Sequence, residues 1–123
     1  MFEISVKTEA KYLAEESNPS QLKYVFAYQI TITNVGDVTA QLLRRHWYIR
    51  HAEESIEEVE GEGVVGKQPW LEPGESFQYV SGAVLDTTFG SMLGYYTFKD
   101  RSGESYKVHI PEFMLVQDGK FVN

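Results

Sequence analysis

The stretch Gly61-Glu62-Gly63-Val64-Val65-Gly66-Lys67-Gln68 comes nearest, in residue type and spacing, to a known chemistry. It spells G-x-G-x-x-G, and it departs from G-x-x-x-x-G-K-[ST] only at the last position. Both patterns bind phosphate for the same reason. Their glycines let backbone N–H groups approach the anion, and the N-terminus of a following helix adds positive potential. Here Pro69 follows directly, Trp70-Leu71-Glu72-Pro73 cannot open a regular helix, and Gln68 replaces the hydroxyl that would hold Mg²⁺. What the motif retains is a non-helical nest of N–H groups beside Lys67, with Glu60 and Glu62 opposing an anion at long range. The other reading is a conformationally special loop that is structural or faces a partner.

The remaining candidates are weaker. Glu53, Glu54, Glu57, Glu58, Glu60 and Glu62 form an acidic run, and carboxylates alone suit Mg²⁺ or Mn²⁺. The run lacks the ligand spacing of a known metal loop, and a solvated edge strand made repulsive to further pairing accounts for it equally well. On a regular strand His46 and His51 point to opposite faces, and His109 is remote in sequence. Gly90-Ser91-Met92-Leu93-Gly94 is not a nucleophile elbow. No catalytic set is recognisable, so the chain reads as non-enzymatic, with no cofactor and no metal site.

Composition narrows the class further. The 123 residues fit one domain, residues 1–123, and 7 Phe, 8 Tyr and 2 Trp suffice for one filled core. A net charge of −7 repels nucleic-acid phosphates, so DNA and RNA are not expected partners. The absence of cysteine excludes disulfides, thiol catalysis and Cys-based zinc sites. No apolar run approaches the roughly 20 residues of a membrane span, and Met1 to Val6 alternates instead of forming a signal peptide. A cytoplasmic location is expected.

The elements that must position these residues follow a period of two. Phe2, Ile4 and Val6 form a half-buried strand. Leu22, Tyr24, Phe26, Tyr28, Ile30 and Ile32 share one face of the clearest strand, and residues 34–37 carry turn chemistry. On the next strand, about residues 39–51, Leu43, Trp47 and Ile49 face inward and Arg45 breaks that face, through either a bulge or a carboxylate partner. A short strand at 55–60 leads into the glycine-rich stretch 61–74, which ends in a Pro73-Gly74 type II turn. Strands follow at 77–81, 92–98 and 106–110, the last two joined by a hairpin at 100–103. Residues 113–116 cover an edge or one end, and residues 117–123 read as a flexible tail. Seven to eight short antiparallel strands indicate an all-β sandwich or barrel. Trp47 on a central strand, in a domain near about 100 residues, favours an immunoglobulin-like sandwich.

Several segments resemble the ApaG family: Arg45-His46-Trp47, Val59 through Gly66, Gln68-Pro69, Pro73-Gly74-Glu75, Tyr79 through Gly82, Gly90 through Gly94, and Ile110 through Phe113. They occur in order between about residues 22 and 115, and residues 51–56 depart from the family's Asp/Gly-containing turn. The resemblance implies a fibronectin type III-like sandwich with no established enzymatic activity. It implies a domain that stands alone in bacteria and, in eukaryotes, is joined to F-box proteins and to a DNA-polymerase-interacting protein. It also implies an indirect link to cobalt resistance and magnesium efflux, and a glycine loop proposed to contact pyrophosphate.

Two functions result. A protein-binding module would present Val64, Val65, Trp70 and Leu71 beside a neighbouring strand edge, although the same side chains could instead plug one end of the sandwich. A small-ligand binder would hold pyrophosphate or a nucleotide at Gly61, Gly63, Gly66 and Lys67. The oligomeric state is not legible, and an open sheet edge is compatible with a weak edge-strand dimer.

Overall fold

The structure is a computed structural model that describes residues 1–52 and 54–117. Glu53 of the acidic run, and the tail past Gln117, lie outside the described residues. The described chain forms eight strands: β1 (Ile4–Tyr12), β2 (Tyr24–Asn34), β3 (Ala40–His51), β4 (Ile56–Glu62), β5 (Trp70–Leu71), β6 (Ser76–Leu85), β7 (Phe89–Asp100) and β8 (Ser105–Val116). Two antiparallel sheets pack as a sandwich. One has the order β1-β2-β6; the other has the order β4-β3-β7-β8, with β5 also on β3.

β2 displays the expected alternation. Tyr24, Phe26, Tyr28, Ile30 and Ile32 are all buried, and the residues between them are half-buried. Leu22 does not join that face. It caps a 3₁₀ turn, Pro19–Gln21, in the left-handed conformation (φ 54°) and is exposed. Its N–H donates to the Pro19 carbonyl, so the chain reverses there and the strand parity starts only afterwards. Trp47 lies between the sheets, edge-on to Tyr28, Tyr96 and Phe113 at 5.5–6.2 Å between ring centroids.

Two expected turns are present. Asn34 is buried, and its amide donates to the carbonyls of Val38 (2.8 Å) and Leu71 (2.9 Å) while its oxygen accepts from Gly36 N–H (3.0 Å). At Pro73-Gly74, Glu75 N–H donates to the Glu72 carbonyl and Gly74 has φ 89°, as a type II turn requires. Residues 106–116 form one strand where the sequence indicated a strand and a separate cover. The β7–β8 register jumps between Met92 and Gly94, which places Pro111 at a bulge on an edge strand, where its missing N–H breaks no ladder.

Candidate functional site: the glycine hairpin and the crevice beneath it

β4 pairs with β3 from Arg50 to Arg44, and β5 pairs with Gln41 and Ala40 on the same edge. The glycine-rich stretch is therefore not a long free connection. Gly61 and Glu62 complete β4, and the chain leaves the ladder only between residues 63 and 69. Within that gap Val64 and Lys67 exchange both backbone hydrogen bonds, at 2.8 and 2.9 Å. Val65 (φ 44°) and Gly66 (φ 79°) form the tip, so the element is a two-residue hairpin whose central pair both have positive φ, the I′ geometry. Gly63 also has positive φ (66°), and a Cβ there would meet the Lys67 carbonyl at 2.5 Å.

The hairpin is pinned to β3 by a bulge. The β3–β7 register shifts between Leu42 and Arg44. The Leu43 carbonyl accepts from Gly63 N–H (2.7 Å) and from the Gln68 side-chain amide (3.0 Å). The Gln41 side chain in turn donates to the Gln68 carbonyl at 3.0 Å.

The bulge changes which leucine faces inward: Leu42 is buried, and Leu43, expected there, is half-buried. It does not turn Arg45, which plain alternation keeps on the face of Trp47 and Ile49. The partners of Arg45 are main-chain carbonyls where a carboxylate was the alternative: Nη1 donates to Glu62 O and Gly63 O, both at 2.9 Å. Among the described residues no carboxylate forms an ion pair with it. Its guanidinium occupies the space that a Cβ on Gly61 would need, at 2.9 Å.

Around Arg45 the two sheets leave a crevice of about 290 Å³, walled by Tyr28, Trp47, Tyr79 and Ser81 and roofed by the hairpin. The phenols are buried donors. Burial pushes Tyr28 up, opposed by Ser81 and Arg45, and pushes Tyr79 and Tyr96 up strongly. Tyr79 and Tyr96 share a 2.5 Å hydrogen bond. Glu62 also lines the crevice, so a hydrogen-bond-accepting group at the guanidinium N–H groups not used on the two carbonyls would share it with an acidic side chain.

The sequence candidates divide accordingly. Of the phosphate set, Gly63 and Lys67 have spent their N–H groups within the hairpin and its anchor, and Gly61 lies in the β4 ladder opposite Arg45. Gly66 and Lys67 are exposed at the tip. Of the partner-facing set, Val64 (0% exposed) and Leu71 (3%) belong to the core and cannot present a surface. The hairpin folds Val64 under itself, and β5 alternates Leu71 inward. Val65 (54%) and Trp70 (44%) are exposed, the latter with the Arg101 guanidinium 5.0 Å from its ring. Reading the sequence singled out Arg45 but not its crevice, because Tyr28, Tyr79 and Ser81 meet it only across the sandwich.

The ApaG domain model matches residues 14–100. The chain belongs to the ApaG family. A protein ApaG of Acidithiobacillus ferrooxidans is 52% identical over 113 residues, covering 92% of this chain and 89% of that one. Another, from Thiobacillus denitrificans, is 50% identical over 114 residues, covering 93% and 90%. Among solved structures, a Bordetella pertussis protein described as ApaA superposes with a TM-score of 0.91 at 46% identity, covering 94% of each chain. The sandwich is thus the architecture of an ApaG relative of known structure. No helix among the described residues is long and apolar enough to cross a membrane.

Proposed function

We propose that this chain is a non-enzymatic protein-binding module of the cytoplasm, whose contact surface is the hairpin tip together with Trp70. The observation that carries this reading is Val65. A β-branched residue with φ 44° is strained by about 1–3 kcal/mol, yet its side chain is exposed and fills no core. The turn demands positive φ there, and a β-branched residue kept at that solvent-facing position, on a base pinned by Leu43 and Gln68, supports a preorganised contact. Trp70 adds the kind of aromatic surface enriched in interface anchors. Under this reading the link to cobalt resistance and magnesium efflux runs through the partner.

The experiment is capture of partners from cell lysate on immobilised wild-type, Val65→Gly and Trp70→Ala chains. A discrete, saturable partner held by wild type and lost with both variants, at unchanged fold, is expected. Capture that survives both changes overturns the reading.

A second reading is favoured by one observation, the inward Arg45, which forms no ion pair with a carboxylate among the described residues. A pyrophosphate or nucleotide phosphate would then bind at the guanidinium in the crevice, and not in a nest of hairpin amides. Pyrophosphate titration should move the Arg45 side-chain resonance more than the amides of Gly63 and Lys67. Sub-micromolar binding would make this reading the first.

A further inference from the structure

We propose that His46, Glu58 and Glu60 form a binding site for a divalent transition-metal ion of the Zn²⁺ type on the outer face of the larger sheet. His46 follows Arg45 directly and therefore points to the opposite face. Strand pairing sets His46 against Glu60, and Glu58 lies two residues away on the same side of β4. Glu58 Oε2 is 2.5 Å from Nε2 of the imidazole, and Glu60 Oε2 is 3.0 Å from Nδ1.

This arrangement poses a chemical problem for a neutral ring. A neutral imidazole carries one N–H and one lone pair. With a carboxylate oxygen at each nitrogen, one lone pair faces an anion unless a second proton or a metal ion lies between them. The nitrogens cannot turn away freely, because the ring is wedged between Tyr48 and Tyr95, each 4.9 Å away between centroids, and the His46 side chain is only 13% exposed. Tyr95 Oη lies 3.2 Å from Nδ1. Among the described residues neither Glu58 nor Glu60 forms an ion pair with Lys or Arg. Lys107 is committed to the face of Tyr95, at 4.6 Å from its centroid. Two carboxylates on one strand face, neither paired with Lys or Arg among the described residues, thus converge on a single imidazole packed against two tyrosines.

One candidate donor atom from each of His46, Glu58 and Glu60 lies within 4.8 Å of the other two. An ion takes one ring nitrogen, so binding by all three requires the exposed carboxylate now at the other nitrogen to swing across to it. One imidazole with two carboxylates suits Zn²⁺ or Ni²⁺. Mg²⁺ and Ca²⁺ prefer all-oxygen shells. Three protein donors leave further positions to water. The site is separate from the hairpin, and its occupancy does not depend on the partner-binding reading.

The test is isothermal titration of the full chain with ZnCl₂, followed in parallel by ¹H–¹⁵N spectra. The expected result is saturable one-to-one binding that perturbs His46, Tyr48 and Tyr95 and is not displaced by a tenfold excess of Mg²⁺. His46→Gln, Glu58→Gln and Glu60→Gln should each weaken it about tenfold or more. His51→Gln, which alters a second imidazole set between Asp86 and Glu57, and His109→Gln should leave it unchanged. Should His46→Gln not fold, the two exposed Glu variants carry the test. The proposal is overturned by absence of saturable binding at millimolar Zn²⁺, by displacement with Mg²⁺, by unchanged binding in both Glu variants, or by loss confined to His51→Gln.

Discussion

Arg45 and His46 are neighbours in the chain and occupy opposite chemical worlds. Arg45 is a cation turned toward the interior that forms no ion pair among the described residues, with its Nη1 fixed by two main-chain carbonyls. His46 is turned outward and has a carboxylate at each ring nitrogen. The difference shows how one strand can serve two unrelated sites. The inner one is built by the backbone, through a bulge and a hairpin. The outer one is built by side chains that cross-strand register brings together. Backbone-built polarity is rigid and should be costly to remove, whereas side-chain-built polarity should be cheap to remove and sensitive to solution conditions.

Mutations can break this contrast, and the inner face sets its upper bound. Trp47→Ala empties the space between the sheets and should cost about 3–5 kcal/mol in denaturant unfolding. A loss below ~1 kcal/mol would mean that Trp47 does not anchor the core. Next comes Arg45→Gln. It strips charged hydrogen bonds from Glu62 O and Gly63 O and should cost about 2 kcal/mol, with the largest loss of amide protection at residues 61–67. If His46→Gln costs as much, the distinction between backbone-built and side-chain-built sites fails. We expect His46→Gln to cost less than about 1 kcal/mol, because its partners are exposed carboxylates that water can solvate.

The tip supplies a finer test. Val65→Gly relieves a left-handed β-branched residue but loosens the unfolded chain, so the melting temperature should stay within a few degrees of wild type or rise. A fall comparable to that of Arg45→Gln would show that Val65 is structural.

The smallest effect concerns a carboxylate satisfied by its own turn. Asp100 accepts from Ser102 Oγ, Tyr106 Oη and the N–H groups of Ser102 and Glu104. The Ser102 side chain first, then Tyr106, hold its pKa down at about 2 from 3.8. A lowered folded pKa stabilises the protein above the unfolded value. The hairpin at 100–103 should therefore be fully held above pH 4 and loosen as pH falls toward about 2. A carboxyl titration by NMR checks this, and a midpoint near 4 would contradict it.

Much of the fold was legible because period-two alternation maps directly onto burial. The face of β2 from Tyr24 to Ile32, the Asn34 turn and the Pro73-Gly74 turn follow from local rules. Leu22 failed because a left-handed residue before the strand resets parity, which composition does not mark. Val64 and Leu71 failed as surface candidates for a related reason. An apolar residue in a glycine-rich segment reads the same whether the segment projects or folds under, and only the Val64–Lys67 bridge and the pairing of β5 with β3 decide. The glycine motif was legible as special backbone, but not as a hairpin that consumes amides a phosphate would have needed.

By itself, the sequence determined the all-β class, the inward face of the central strands, the turns built on Asn, Pro and Gly, and the anomaly of Arg45. Each is a property of a residue and its near neighbours, written in side-chain volume, branching and backbone freedom. Tertiary structure alone decided that Tyr28, Tyr79 and Ser81 surround Arg45, and that Glu58 and Glu60 close on His46. Those meetings depend on register between strands and on packing between sheets. A shift of one residue in either would turn the same side chains to opposite faces.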